Sequence, residues 1–465
     1  MQEPDGSNDS VAPAYATRYL TQPIPRYELP QGEMPAGLAY RLIHDELNLD
    51  GNPELNLASF VTTWMEPEAD RLMAESIGRN YIDADEYPQT TEIQNRCVNM
   101  LARLFNAPAA GDTSSVGCAT VGSSEAIHLA GLALKWRWRA RRAAQGRPTE
   151  RPNLVMGHNV QVCWEKFARY FDVEPRYVPL TEGRWVLGVP EAIERVDEDT
   201  IGVVGILGST YTGEYEPIEE LSSALTGLNA RSGWDVPIHV DAASGGFVAP
   251  FLRPELAWDF RLPLVRSINT SGHKYGLVYP GVGWVLWRDQ AQLPEELIFH
   301  VNYLGADQPT FNLNFSRGAG QILAQYYNFL RLGRAGYTAI MTGLAGTAAA
   351  LATSVASTGH FEILSKPDAL PLVCFRLVGE RPYTVFDISA RLRERGWIVP
   401  AYTLAPNATD VSVLRVVVRE GLSRDMADLL VADLDRAVHE LDSRARPAGL
   451  DAVAAPPPAK SRGVC

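Results

Sequence analysis

Short apolar runs alternate with longer amphipathic stretches from about residue 57 to residue 345. The runs have the composition of buried strands and cover residues 153–156, 201–206, 237–240, 267–269 and 282–287. Strands that alternate with helices predict an α/β fold with a largely parallel sheet and helices on both faces. Ligands of such sheets bind at the carboxyl ends of the strands, so the loops after these runs are candidate sites.

The rest of the chain shows a second, smaller alternation. It predicts a strand at 372–377, a helix at 384–395, a strand at 412–419 and a helix at 424–441. A long helix from about 318 to 332, continuing past 336 to 353, is predicted to bridge into this part. The pattern divides the chain into four parts. These are an N-terminal arm (residues 1–56), a large domain (57–345), a small C-terminal α/β domain (346–445) and a flexible tail (446–465).

The two ends of the chain have little core-forming pattern. Roughly the first 22 residues are polar without periodicity and are predicted to be disordered, whereas residues 36–47 predict a short helix. The start lacks the basic and apolar regions of a signal peptide, and no apolar run reaches membrane-spanning length by this pattern, so we expect a cytoplasmic protein without a membrane partner.

Composition narrows the class of protein further. The chain has 465 residues, 46% hydrophobic and 21% charged, as a soluble globular protein does. A formal net charge of −13 argues against nucleic acid as a partner. Its five cysteines, at 97, 118, 163, 374 and 465, are scattered and form no CxxC pattern. They predict reduced thiols, with neither a disulfide frame nor a metal site.

One local stretch is basic, although the chain as a whole carries a net negative charge. Residues Lys135–Arg142 interleave tryptophan with arginine, a pattern that can stack on nucleic-acid bases or lie on a membrane surface. The stretch also continues a predicted helix that begins near Ser124. We favour an exposed helix face whose charges point to solvent while Trp136 packs inward.

The most informative segment is Ser267–Gly276, which is strand-like at first and then turns and places His273 beside Lys274. Upstream, Asp241 stands at the end of another predicted strand. A lysine amine that forms a Schiff base and an aspartate that faces a pyridinium nitrogen are the groups a pyridoxal 5′-phosphate (PLP) enzyme supplies. A His-Lys pair alone is more often a solvated loop, but the aspartate at this spacing favours the PLP site.

A third element, Ala119–Ala126, predicts a loop that opens into a helix. Serine hydroxyls and free amides at a helix N-terminus form an anion site. The same residues serve equally well as a simple helix cap. Beside a candidate Schiff-base lysine, a phosphate cradle is the better interpretation.

Together these segments closely resemble the glutamate decarboxylases, which belong to the PLP-dependent group II decarboxylases. The resemblance runs from about Tyr27 to about Leu441. It rests on residues 86–89, 118–126, 160–169, 208–215, 239–247, 271–274, 315–317 and 324–333. It implies the fold type I of PLP-dependent transferases (aspartate aminotransferase-like), with a mainly parallel seven-stranded sheet and a small C-terminal α/β domain.

The resemblance also implies a role for each residue around the cofactor. Lys274 corresponds to the Schiff-base lysine, Asp241 to the carboxylate on the pyridine nitrogen, and Gln161 to a side chain over the ring. Thr210 matches the hydroxyl near the phenolic oxygen. The residues that match phosphate ligands are Ser123, Ser124, Ser271, His273 and, donated by the neighbouring subunit, Ser316.

On the substrate side, the resemblance assigns Arg415 to the α-carboxylate. Arg419 is a rival, because a spacing of four on one strand places both arginines on the same face. Ser59, Phe60 and Asp83 match the pocket for the distal carboxylate, with Asp83 contributed across a dimer.

The implied reaction is the decarboxylation of L-glutamate to 4-aminobutyrate and CO2, with one proton consumed. The proton donor is left open between Lys274 and the loop at 301–305. The alternatives are another PLP-dependent decarboxylase, lyase or aminotransferase, for example one acting on aspartate or aromatic amino acids, and a catalytically silent binding protein.

We expect at least a homodimer, with a hexamer left open. Calmodulin is not expected as a partner, because no tryptophan follows Trp397.

Overall fold

The computed structural model describes residues 24–108, 115–302 and 308–444. Contacts between Cα atoms divide the chain into two compact units, Met1–Asn56 and Leu57–Cys465. In the first unit the predicted short helix is confirmed as α1 (Ala36–Leu47). The segments predicted to be disordered, roughly the first 22 residues and the tail from 446, lie outside the described residues.

The second unit is built on a seven-stranded sheet in the order β1-β7-β6-β5-β4-β2-β3. Its strands are β1 (Val116–Thr120), β2 (Asn153–Gly157), β3 (Glu174–Val178), β4 (Thr200–Ile206), β5 (Ile238–Asp241), β6 (Val265–Thr270) and β7 (Gly283–Trp287). Only β7 is antiparallel to its neighbours, so the sheet is mainly parallel. The predicted α/β fold of type I is confirmed.

Helices connect and cover these strands. They are α2 (Pro67–Glu75), α3 (Pro88–Leu104), α4 (Ser123–Ala144), α5 (Val162–Tyr170), α6 (Val189–Ile193), α7 (Ile218–Ser232) and α8 (Ala249–Leu252). Helices α4 and α5 approach each other closely at Gly131, where an added Cβ atom would lie 2.4 Å from the ring of Phe167. A glycine is therefore required there, since any side chain would force the two helices apart.

The basic stretch forms the second half of α4, as predicted. Arg137 and Arg141 pair with Asp235, so the arginines of this face are engaged within the protein. The expectation that Trp136 packs inward was wrong. Trp138 is the buried one (3% exposed), whereas Trp136 is half-buried beneath the guanidinium of Arg139. The reason is register, because Trp138 follows the buried Leu134 by one helical turn.

A second, antiparallel sheet follows in the order β10-β11-β13-β12. Its strands are β10 (Phe361–Ile363), β11 (Leu372–Leu377), β12 (Ala401–Thr403) and β13 (Ser412–Val417), with helices α10 (Val385–Glu394) and α11 (Arg424–Arg444) beside them. The sequence predicts β11, β13 and both helices but misses the two three-residue strands. A separate hairpin pairs β8 (Phe299–Val301) with β9 (Gln308–Thr310). The domain boundaries at 345/346 and 445/446 stay predictions.

The predicted bridging helix is α9 (Gly320–Ser357). It is broken at Gly333, whose φ of 54° lies in the left-handed region that favours glycine. Contrary to the sequence expectation, α9 is long and apolar enough to span a membrane by length and composition alone. It packs against α2, α3, α8 and α11, and contacts of this kind are those of a helix in a globular unit.

Candidate active site

A cavity of about 560 Å³ lies where the loops after β4, β5 and β6 meet the start of α4 and strand β13. These loops follow the carboxyl ends of parallel strands, which is where α/β sheets bind ligands. The predicted residues that line it are Ser59, Phe60, Ser123, Ser124, Gln161, Thr210, Asp241, Ser271, His273, Lys274 and Arg415. Asp83 and Ser316 are not among the lining residues.

Asp241 ends β5 and is held by three donors. Its Oδ2 accepts a hydrogen bond from Trp164 Nε1 (2.9 Å). Its Oδ1 accepts from Asn269 Nδ2 (3.0 Å) and from the backbone N–H of Ala243 (3.1 Å). Donors that face a carboxylate favour its charged form, even though only 5% of Asp241 is exposed. Asp241 is therefore a fixed, buried anion at the floor of the cavity.

Lys274 extends into the same cavity from the turn after β6. Burial lowers the pKa of its ammonium group, and the nearby Arg415 lowers it further, whereas Asp241 acts in the opposite direction. Its Nζ donates to Ser244 Oγ (3.2 Å) and lies 5.5 Å from the ring centre of Phe60. A lowered pKa enlarges the fraction of neutral amine near pH 7, and the neutral amine is the nucleophile.

The backbone after Lys274 is strained and clamped from α9. Leu277 has a φ of 62°, which is rare for a bulky residue and costs about 1–3 kcal/mol. Asn328 Nδ2 donates to the Leu277 carbonyl (2.6 Å), and the Tyr337 hydroxyl donates to the carbonyl of Gly276 (2.9 Å). These side chains of α9 stabilise the turn and so fix the direction in which Lys274 leaves it.

The start of α4 supplies the donors expected for a phosphate. Ser123 Oγ and Ser271 Oγ lie 2.7 Å apart, and Ser124 follows on the first turn of the helix. His273 Nδ1 accepts from the backbone N–H of Val282 (3.3 Å), and burial lowers the pKa of this imidazole to about 4. The ring is therefore neutral at physiological pH, with its Nε2 proton available as a donor.

The two candidate arginines differ in position. Arg415 lines the cavity, and its guanidinium donates to the carbonyls of Thr210 and Ala58. Arg419 lies beyond the end of β13, so the assumption that both stand on one strand was wrong. It is 2% exposed and donates to Thr63 Oγ1 (2.6 Å). The structure therefore places Arg415, and not Arg419, at the cavity.

Asp83 and Ser316 lie outside this cavity, on two segments that adjoin each other. Asn80 Nδ2 donates to Ser316 Oγ (3.5 Å), and Asn80 Oδ1 accepts from the backbone N–H of Arg317 (3.1 Å). The backbone N–H of Tyr81 donates to the Arg317 carbonyl (2.7 Å). Ser316 is exposed. The two residues predicted to reach a neighbour's site thus belong to one surface feature of the chain.

Comparison with known proteins identifies the chemistry of this cavity. Residues 30–378 match the pyridoxal-dependent decarboxylase conserved domain. The chain belongs to this family. A glutamate decarboxylase of Petunia hybrida is 58% identical over 437 residues, which are 94% of this chain and 87% of the relative. A glutamate decarboxylase of Aliivibrio fischeri is 51% identical over 434 residues, or 93% of each chain.

Solved structures agree with this assignment. A glutamate decarboxylase of Lactobacillus brevis superposes with a TM-score of 0.89 at 47% identity, over 92% of this chain and 97% of that chain. A sphingosine-1-phosphate lyase of Burkholderia pseudomallei superposes with a TM-score of 0.76 at 24% identity, which shows the fold alone. The resemblance found in the sequence motifs is confirmed, and with it the PLP cofactor and the activity class of a PLP-dependent carboxy-lyase.

The cavity of this pyridoxal-dependent decarboxylase fits PLP by the chemistry of its side chains. Lys274 offers an amine for the aldehyde, and Asp241 offers a fixed anion for a protonated pyridine nitrogen. The start of α4, with Ser123 and Ser271, offers donors for a phosphate dianion. When bound, PLP accepts the electron pair that the departing CO2 leaves on Cα. The individual roles of these residues remain predictions.

Three residues of the decarboxylase site were missed from the sequence. Ser244 accepts from Lys274, and Trp164 and Asn269 hold Asp241. Ser244 lies within the Asp241–Phe247 motif, so its closeness to the site was available as a signal. Nothing in the sequence shows that the indole of Trp164 faces Asp241, because the two residues are 77 positions apart.

A group that could hold a metal ion lies away from this site, although no metal was predicted. His360, Asp435 and His439 offer ligand atoms within 4.8 Å of one another. Arg381 Nη2 lies 3.3 Å from His360 Nδ1, and His360 Nε2 lies 3.2 Å from Asp435 Oδ1. Since a guanidinium only donates, His360 Nε2 carries the proton and donates to Asp435. That arrangement is a hydrogen-bonded chain and leaves no lone pair on Nε2 for a cation.

Proposed function

We propose that this decarboxylase acts on L-glutamate, releasing CO2 from Cα and giving 4-aminobutyrate with one proton consumed. The observation that carries the proposal is the extent of the match to plant and bacterial glutamate decarboxylases, which covers nearly the whole chain. The match therefore includes the segments of Ser59, Phe60 and Arg415 as well as the cofactor loops.

Arg415 is the group that we assign to the substrate α-carboxylate. A planar guanidinium binds a carboxylate through two parallel hydrogen bonds and so fixes its orientation. Contacts to the carbonyls of Thr210 and Ala58, and the ring of Phe60 at 4.9 Å, hold the guanidinium in place. An orientation fixed in this way sets the angle between the scissile bond and the cofactor ring.

Ser59 and Phe60 stand on the same side of the cavity as Arg415 and are assigned to the distal carboxylate, together with Asp83 of the partner subunit. Lys274 would hold the cofactor through its amine, and its Nζ donates to Ser244 Oγ. Lys274 is one candidate donor of the proton to Cα. The other is the loop at 301–305, of which residues 303–305 lie outside the described residues.

Product analysis with a panel of substrates tests the proposal. The purified holoenzyme is incubated separately with L-glutamate, L-aspartate, L-tyrosine and L-DOPA, and amine and CO2 are measured. We expect 4-aminobutyrate from glutamate at a rate at least about 100-fold above that of any other product. A higher rate with aspartate or an aromatic substrate would assign the chain to another decarboxylase. Absence of the cofactor's visible absorbance would instead favour a binding protein.

The assignment of Arg415 predicts a specific kinetic change. Arg415→Lys should lower kcat/KM for glutamate by about 100-fold, mainly through a higher KM, because an ammonium group cannot replace two parallel hydrogen bonds. Arg419→Lys is the matched control, since this arginine is buried outside the cavity. It should lower the melting temperature while leaving KM nearly unchanged. The opposite pattern would assign the α-carboxylate to Arg419.

We also propose a homodimer in which each site is completed by Ser316 and Asp83 of the partner subunit. Supporting this, both residues lie outside the chain's own cavity and on one surface feature. The same surface carries exposed apolar side chains at Leu313 and Phe315. A hexamer built from such dimers stays open.

Hybrid dimers test whether sites are shared. Lys274→Ala and Ser316→Asp should each be inactive, the second because a carboxylate would repel the neighbour's phosphate. Mixing them with subunit exchange should restore about a quarter of wild-type activity, because half of the dimers then hold one intact site. The control mixture is Lys274→Ala with Asp241→Asn, which cannot produce an intact site. No recovery in the first mixture would show that Ser316 does not act across subunits.

A further inference from the structure

A chain of buried hydrogen bonds stands behind Asp241. Asn269 Nδ2 donates to Asp241 Oδ1 (3.0 Å), and Asn269 Oδ1 lies 2.7 Å from His239 Nε2. His239 Nδ1 lies in turn 2.8 Å from Ser267 Oγ. All four side chains are at most 5% exposed. They form one patch because β5 and β6 are paired in register, with His239 opposite Ser267 and Asp241 opposite Asn269.

When the imidazole is neutral, only one arrangement of protons satisfies this chain. An ionised carboxylate only accepts, so the amide of Asn269 must turn its NH2 group toward Asp241 and its oxygen toward His239. His239 Nε2 must then carry a proton, and Nδ1 must accept from the hydroxyl of Ser267. Burial lowers the pKa of His239 to about 4, so the ring is neutral at physiological pH. The carboxylate and the imidazole therefore fix the orientation of the amide together.

Trp164 closes the arrangement from the other side. Its indole N–H donates to Asp241 Oδ2, and its ring packs edge-on against His239 with ring centres 5.2 Å apart. The same imidazole thus contacts both residues whose side chains hold Asp241. A substitution at His239 therefore affects the hydrogen bonds to both oxygens of the Asp241 carboxylate. It does so without replacing a residue of the cavity lining, because His239 is not among the residues that line the cavity.

We propose that His239 is a positioning residue that, through the amide of Asn269, fixes Asp241 in the orientation and charge state that keep the cofactor's pyridine nitrogen protonated. Without the Nε2 proton, only the carboxylate holds the amide, and the buried oxygen of Asn269 is left without its donor. The amide can then turn, which weakens its hydrogen bond to Asp241 and leaves the carboxylate able to move or to take up a proton. The inference rests on the PLP site and not on which amino acid is decarboxylated.

Two substitutions separate positioning from core packing. In His239→Gln the side-chain amide keeps a donor toward Asn269, whereas His239→Leu fills similar space without one. Both variants are neutral and both remove the ring that packs against Trp164. A role in packing alone predicts similar losses in the two variants. A positioning role predicts recovery in the glutamine variant.

Both measurements are made without substrate, so their results do not depend on whether glutamate is the substrate. Each protein is freed of PLP and reconstituted with ¹⁵N-labelled PLP, and affinity and the protonation of the pyridine nitrogen are measured by titration and ¹⁵N NMR. We expect His239→Leu to bind PLP at least about tenfold more weakly than wild type and to lose the ring proton. His239→Gln should keep the proton and bind within about threefold of wild type. A protonated ring and wild-type affinity in His239→Leu would overturn the proposal.

Neutron diffraction on the wild-type holoenzyme provides a second test that needs no variant to fold. The expected density places a deuteron on His239 Nε2, none on Nδ1, and one on the pyridine nitrogen. A deuteron on Nδ1, or on both ring nitrogens, would mean that the imidazole does not orient Asn269, and the proposal would then be wrong.

Discussion

Replacing Lys274 with alanine is expected to reduce turnover to below about 0.1% of wild type, because the residues that line the cavity then include no amine to hold the cofactor. The protein should still fold, since the turn is stabilised through its backbone by Thr62, Asn328 and Tyr337. PLP should then bind only noncovalently, so the protein should lose it on dialysis faster than wild type does.

Borohydride reduction followed by peptide mapping identifies the lysine that carries PLP. The chain's other lysines are Lys135, Lys166, Lys366 and Lys460. Lys135 serves as an internal comparison, because burial lowers the pKa of this lysine too although it is outside the cavity. The label should appear on Lys274 alone. A label on Lys135 would mean that a low pKa, and not this cavity, selects the reactive amine, and a label on Lys166 would contradict the assignment of Lys274.

Asp241→Asn should lower kcat by about three orders of magnitude or more, because a neutral amide does not keep the pyridine nitrogen protonated. The substitution also sets an NH2 group against the donor of either Trp164 or Asn269, whichever side the amide takes, so a loss of stability is expected as well.

Asp259→Asn is the matched control for that loss of stability. Asp259 is a buried carboxylate (1% exposed) that accepts from Asn106 Nδ2 (2.8 Å) and from Arg261, and it does not line the cavity. Its amide variant should melt at a lower temperature yet retain its turnover. Near-normal kcat in Asp241→Asn would show that another group performs the role.

The parts of the site that could be predicted from the sequence follow directly from periodicity and motif spacing. Asp241 and Lys274 stand after apolar runs that became β5 and β6, and the carboxyl ends of neighbouring parallel strands meet at one edge of the sheet. Ser123 begins a helix whose pattern is clear over many turns. These residues lie together because the topology of the sheet brings the ends of their strands to the same edge.

The parts that could not be predicted depend on side-chain direction or on a second chain. The donors to Asp241 come from Trp164 and Asn269, and their residue types alone do not show which way they face. Strands β10 and β12 have three residues each, too few to show a period of two. The contribution of Ser316 and Asp83 belongs to an assembly, which one sequence does not contain.

The most direct test of a decarboxylase built on Lys274 and Asp241 follows the atoms of one turnover. The holoenzyme is given L-glutamate labelled with ¹³C at C1 in D₂O, and the products are analysed by NMR and mass spectrometry. We expect one ¹³CO₂ for each 4-aminobutyrate, with a single deuterium on the carbon that bears the amine. Formation of 2-oxoglutarate with the label retained, or release of no ¹³CO₂, would contradict a decarboxylase built on Lys274 and Asp241.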